Sequence, residues 1–194
     1  MINPNQKIVD ELLREATSAV QERVSGVLAV FSSLKWKHVT FTIPMIPAPS
    51  HRPRLSGYRV YVPGAAKNQS FFNRHVLPKL QGLFITTPCK IKVEIFCQTP
   101  KSFTKTQQIL AEMGVLRPWV NTGDVDNFDK AVFDMLQPNE KRGHVGIMSN
   151  DCLIIESHTN KYYSRNPRYE VSISYMDSVP ESIASVLRLK DKTQ

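Results

Sequence analysis

The sequence is short of acid, of cysteine and of long apolar runs, and each shortage excludes something. Its 194 residues carry 17 Asp and Glu against 25 Lys and Arg, a net charge of +8. The isoelectric point is near 9.5. A surplus of that sign favours a polyanionic partner. The three cysteines, Cys89, Cys97 and Cys152, are widely spaced and form no Cys-x-x-Cys pair. An odd set at such spacings supports neither a disulfide framework nor a zinc site. It suits a reducing compartment, so a cytoplasmic location is expected. No stretch approaches the roughly 20 apolar residues of a membrane-spanning helix. The opening residues, MINPNQKIVDELLREA, are polar and acidic early on, unlike a secretory signal. Repeats and low-complexity tracts are also lacking.

What is present is ordinary globular material, with 41% hydrophobic and 9% aromatic residues, enough for one domain with an appendage. Residues 5 to about 34 place Ile8, Leu12, Ala16, Ala19, Val20, Val27, Leu28 and Phe31 near a 3.6-residue period. This predicts a helical extension over 1–36, with Gly26 as the expected interruption and residues 37–194 as the main domain. KHVTFTIP reads as a strand, followed by a proline-punctuated basic loop. YRVYV reads as a short strand paired with the first. Residues 65–81 predict a helix interrupted or bent by Pro78. CKIKVEIFCQTP alternates as a strand, and 102–113 predicts a helix ended by Gly114. A helix over about 125–136 stops before Pro138. DCLIIESHTNKYY and RYEVSISYM read as an antiparallel pair, and 180–190 as a last helix with Pro180 at its start. The irregular order of strands and helices predicts an α+β fold.

The segment GDVDNFDKAVFDML concentrates Asp124, Asp126, Asp129 and Asp134 in a basic chain. Asp124 and Asp126, two apart in an extended approach to a helix, point the same way. Two carboxylates brought together without a counter-charge repel, and a hard divalent cation relieves that. A plainer reading is available, and helix caps are commoner than metal sites. Asp124 caps the helix, Asp126 faces the positive end of its dipole, and Lys130 pairs with Asp126 four residues on. Asp151 adds a further acid, where a polar loop meets the apolar run CLIIE; Lys161 lies toward the far end of that strand.

These two stretches, GDVDNFDKAVFDML and NDCLIIESHTNKYY, resemble the RusA family of phage and prophage Holliday junction resolvases. That family's pattern is Asp-x-Asp-Asn-x-x-Lys-x-x-x-Asp-x-Leu, then a loop, paired Asp residues, a hydrophobic strand and a Lys-Tyr-like ending. IPAPSHRPR, RVYVP and TPKSFTKTQ resemble its proline- and arginine-rich opening and its basic segment before the acidic motif. The similarity spans roughly 38–177. It implies a small mixed sheet with flanking helices, and an endonuclease that hydrolyses DNA phosphodiesters. By residue match it implies Asp124, Asp126 and Asp151 as metal-binding catalytic carboxylates and Lys130 as the site lysine. Asp134 and Asn127 match supporting positions. The implied cofactor is Mg²⁺, with Mn²⁺ as a substitute, and the implied assembly is a homodimer on four-way DNA. At the strand start the family often has Asp-Asp, whereas this chain has Asn150-Asp151.

Arg52, Arg54, Arg59, Lys101 and Lys105 flank proline-rich and aromatic residues and are candidates for phosphate contacts. Phe71, Phe72 and Trp119 are expected in the core. His51, His75, His144 and His158 are scattered and carry no expected ligand role. Two further function classes fit the same residues. One is a nuclease of broader branched DNA, such as flaps and forks. The other is a branched-DNA-binding protein that does not cut.

Overall fold

A computed structural model describes residues 5–51, 54–56, 59–61, 63–80, 82–119 and 122–176. The chain divides into two units. Lys37–Tyr175 forms one; Met1–Trp36 with Met176–Gln194 forms the other. In the second unit the expected long helix is two, α1 (Gln6–Glu15) and α2 (Ser18–Ser33). The break falls at Ala16 and Thr17, both extended, and not at Gly26. The Gln21 side chain donates to the carbonyls of Leu13 and Ala16 and so satisfies the end of α1. A helical Gly26 with open space around it costs only backbone entropy, so α2 runs through it. The expected helix over 180–190 lies outside the described residues.

The main unit is a four-stranded sheet with helices, an α+β fold. β1 (Trp36–Ile43) is followed by the short β2 (Arg54–Ser56) and β3 (Arg59–Tyr61). Then come α3 (Ala65–His75), β4 (Cys89–Gln98), α4 (Lys105–Glu112), α5 (Val125–Leu136), β5 (Ile154–Ser164) and β6 (Arg168–Met176). α3 stops at His75, short of the expected 81, and a tight turn at Leu77–Leu80 that contains Pro78 follows the interruption. α4 opens on a capping box between Thr104 and Gln107, three residues later than the sequence suggested.

Sheet order is β1-β6-β4-β5, and this corrects two pairings. β3 pairs with β2, not with β1: Ser56 faces Arg59 and Arg54 faces Tyr61. Closing that short loop loses less chain entropy than a return to β1. β5 and β6 are not neighbours. β4 lies between them, parallel to β5 and antiparallel to β6. The connection over residues 165–167 steps across the end of β4, where Thr99 N donates to Ser164 O. β4 takes the centre because its inward residues Cys89, Ile91, Val93, Ile95 and Cys97 are all buried. A strand so apolar gains most with neighbours on both sides.

The core lies on that face. Tyr169, Val171 and Ile173 of β6, Phe41 and Ile43 of β1, Phe72 of α3 and Phe128, Val132, Met135 and Leu136 of α5 meet it. Phe72 and Phe71 are core as expected, the second partly buried. Trp119 is not: it is 86% exposed. The RPW stretch that carries it leaves the ring no inward-facing strand or helix to follow.

Candidate active site

The acidic segment forms where the sequence puts it. Val125–Leu136 is helical because Phe128, Ala131, Val132, Met135 and Leu136 recur on one buried face. Asp124 holds the position before the first turn, with extended backbone, and Asp126 lies in that turn, where the helix dipole favours negative charge. The plainer reading is only half realised. The Asp124 side chain makes no capping hydrogen bond. Among the described residues Asp126 and Lys130 form no ion pair; the recorded ion pairs are Lys90–Glu156, Lys92–Glu94 and Arg168–Glu170.

The turn ahead of Asp124 is built by contacts from distant segments. Gly123 has φ +88°, and a Cβ there would stand 2.8 Å from Pro49 Cγ. Only glycine lets Pro49 approach so closely without strain. The residues on either side of Pro49 are also held. Tyr169 Oη accepts from Ala48 N and donates to Ala48 O, at 3.0 and 3.2 Å. Ser50 N donates to Asn127 O at 2.8 Å. Asn127 thus contributes through its backbone. Lys161 Nζ, from β5, donates to Gly123 O at 2.8 Å. Thr159 Oγ1, also from β5, donates to Asp129 at 2.6 Å. Burial raises the Asp129 pKa, the Thr159 hydrogen bond opposes that rise, and the charge of Asp126 adds to it.

Asp151 comes back to α5 through the loop over 137–149. Ile147 N and Met148 N both donate to Leu136 O, at 2.8 and 3.0 Å, which ends the helix. Gly146, at φ +67°, passes so close that a Cβ would stand 2.5 Å from that same carbonyl oxygen. Ile85 then pairs with Ile147 and Ser149, and Asp151 follows in a tight turn at Asp151–Leu153. Asn150 caps this turn, accepting from Cys152 N. Asp134 reports the resulting neighbourhood. Burial raises its pKa, Lys130 lowers it, Asp151 raises it and Arg142 lowers it. Asp134, Lys130 and Asp151 therefore share one electrostatic environment.

Arg54, Lys101 and Lys105 are exposed. Arg54 and Arg59 lie on adjacent strands of the β2–β3 hairpin. Arg52 lies outside the described residues. Lys101 and Lys105 stand at the turn before α4 and at its start. Among the described residues no three His, Cys, Asp or Glu side chains are close enough together to hold a metal ion. The chemistry of the donors nonetheless suits a hard divalent cation: Asp124, Asp126 and Asp151 offer exposed carboxylate oxygens without an ion-pair partner among the described residues. Sequence reasoning gave no role to Lys161, Thr159, Pro49 or Tyr169. Lys161 carried a signal, a lysine within an otherwise uncharged stretch of strand after His158.

The molecule is thus a small α+β domain with an exposed acidic turn at the start of α5. Within that class the chain belongs to the endodeoxyribonuclease RusA family, whose sequence pattern matches residues 44–174. It is therefore a DNA endonuclease by family. It is also 32% identical over 142 residues to the uncharacterised protein YqaN of Bacillus subtilis (strain 168), a match covering 70% of this chain and 94% of that one. No helix among the described residues is long and apolar enough to cross a membrane.

Proposed function

We propose that this protein is a divalent-metal-dependent, structure-specific endonuclease that resolves four-way Holliday junctions by paired cuts. The observation that carries the reading is the uncapped Asp124 carboxylate, next to an Asp126 that likewise has no ion-pair partner among the described residues. Leaving both open to solvent in a chain of net charge +8 forgoes stabilisation that a cap or an ion pair would give. A catalytic role accounts for that loss.

Asp124, Asp126 and Asp151 would hold Mg²⁺ or Mn²⁺, which when bound activates water and offsets charge on the phosphate. Lys130 is exposed and has no ion-pair partner among the described residues, so its ammonium is available to a non-bridging phosphate oxygen. Asp134 is half-buried, and the charge of Lys130 opposes the rise that burial imposes on its carboxyl pKa. Lys161 fixes the Gly123 carbonyl and with it the backbone leading into Asp124. Arg52, Arg54 and Arg59 of the hairpin segment, with Lys101 and Lys105, would bind DNA phosphates. A two-fold dimer matches the symmetry of a four-way junction and sets two sites on opposing strands. Residues 1–36 form an appendage to the endonuclease domain over 37–194. The setting is the cytoplasm of a bacterium or of a phage-infected cell.

The test is cleavage of synthetic junctions, flaps, forks and linear duplex by the full-length protein, with and without Mg²⁺ or Mn²⁺. Junctions are cut in symmetric pairs only with metal. Asp126→Asn lowers the rate by at least about a hundredfold and leaves junction binding intact. A near wild-type rate in that variant would show that Asp126 holds no metal. Equal cutting of linear duplex would defeat the junction assignment.

A further inference from the structure

From Arg23 to Val93 the chain has no Asp or Glu at all. α3 lies in this stretch, and its positions Ala66, Gln69, Ser70, Asn73 and Arg74 recur at helical spacing. They form one wall of a solvent-open pocket of about 340 Å³, closed on the other side by Arg142 and His144. Its lining is wholly polar apart from Ala66, and no acid is in it. The side chains are held in place from below. Arg142 Nη1 donates to Gln69 Oε1 at 3.1 Å, and Gln69 Nε2 donates to Asp134 O at 2.9 Å. His144 Nε2 donates to Met135 O, and Nδ1 pairs with the Asn73 amide, both at 2.7 Å. Among the described residues neither Arg74 nor Arg142 has an ion-pair partner. Asp134, whose charge Arg142 stabilises, and Glu140, on the same tight turn as Arg142, both lie outside the lining.

Two guanidinium groups, a hydroxyl and an amide around a cavity free of acid are the chemistry of a phosphate seat. One arginine is already oriented by Gln69, which lowers the entropy lost when an anion binds. Two lining side chains, Gln69 and His144, are anchored on the Asp134 and Met135 carbonyls of α5, the helix that begins at the acidic site.

We propose that the α3–Arg142 pocket binds a backbone phosphate of the DNA, away from the scissile one. It rests on the reading of the chain as a nuclease of branched DNA, and makes α3 a second track beside the β2–β3 hairpin. Free inorganic phosphate has the same chemistry, so the experiment separates the two sources.

Binding of junction and duplex DNA by the full-length protein is measured without divalent metal, across a series of salt concentrations. Arg74→Ala is compared with Lys67→Ala, an exposed α3 position outside the pocket. Each phosphate contact contributes about −0.9 to the slope of log K against log salt on duplex DNA. Arg74→Ala flattens the slope by about that amount, Lys67→Ala by clearly less, and circular dichroism shows both folded. Arg142→Gln repeats the Arg74→Ala result. Equal effects of Arg74→Ala and Lys67→Ala overturn the proposal. So does a phosphate-induced rise in melting temperature that Arg74→Ala abolishes while the DNA slope stays unchanged; that marks a seat for free phosphate. Wild-type protein that cuts junctions while Arg74→Ala binds DNA normally refutes the pocket alone. Wild-type protein that binds DNA through Arg74 but cuts no branched substrate refutes the nuclease reading alone.

Discussion

Replacing Gly123 by alanine tests the architecture that holds the acidic turn. Two penalties apply, and they have different origins. The first is conformational. At φ +88° an L-residue is strained, at about 1–2 kcal/mol. The second is steric. The new Cβ would stand 2.8 Å from Pro49 Cγ and 3.3 Å from Phe128 Cε2, inside the usual contact range of roughly 3.5–4.0 Å. Pro49 cannot move aside cheaply, because Tyr169 holds Ala48 and Asn127 holds Ser50. Phe128 is fully packed in the core. Overpacking of this kind costs about 1–3 kcal/mol. Gly82 supplies the control: its φ is +79°, but nothing lies within 4 Å of its Cβ position. Gly82→Ala therefore carries only the first penalty. Urea unfolding should place Gly123→Ala about 1–3 kcal/mol below Gly82→Ala, or roughly 2–12 °C lower in melting temperature for a chain of this size. Cleavage should also fall further than junction binding, since the displaced element bears Asp124. Equal destabilisation of the two variants would refute the packing of Pro49 on Gly123.

Other expectations follow from single contacts. Lys161→Met keeps the apolar stem and removes the hydrogen bond to Gly123 O, so kcat falls by about tenfold while the fold survives, as read by cleavage rates and circular dichroism. Burial holds the His144 imidazole pKa below its ordinary value, and only the Met135 carbonyl opposes this. Near neutral pH both folded and unfolded rings are uncharged. As pH falls through the ordinary imidazole value of about 6.5 the unfolded chain takes up the proton first. Stability should therefore drop toward pH 5, by at most about 1.4 kcal/mol per pH unit, and His144→Gln should flatten that slope in urea titrations. Light scattering should give twice the monomer mass of 22.1 kDa at micromolar concentration. Active protein at the monomer mass would remove the dimer from the proposal, and deletion of residues 1–34 tests whether α1 and α2 contribute to it.

Features that depend on local pattern can be read along the chain. The acidic helix was legible to the residue, because Phe128, Val132, Met135 and Leu136 repeat at helical spacing and Pro138 stops it. β4 was legible because strict alternation has no other low-energy outcome. The family motif, with Asp124, Asp126, Lys130 and Asp151 at their spacings, was also a one-dimensional signal. Sheet order was not. β5 and β6 are nearly contiguous and looked like a hairpin, yet β4 separates them. Alternation tells which face of a strand is buried and is silent about which neighbour it takes. The break between α1 and α2 was misplaced because glycine is only a weak helix breaker when nothing crowds it. Trp119 was misassigned because size alone does not bury a ring. The clamp on the acidic turn was invisible for a simpler reason. Pro49, Gly123 and the stretch that holds Lys161 and Tyr169 are far apart along the chain, and hydrogen bonds and van der Waals contacts act only over a few ångströms. Which distant residues come within that range is decided by how the sheet and helices pack, and therefore only in three dimensions.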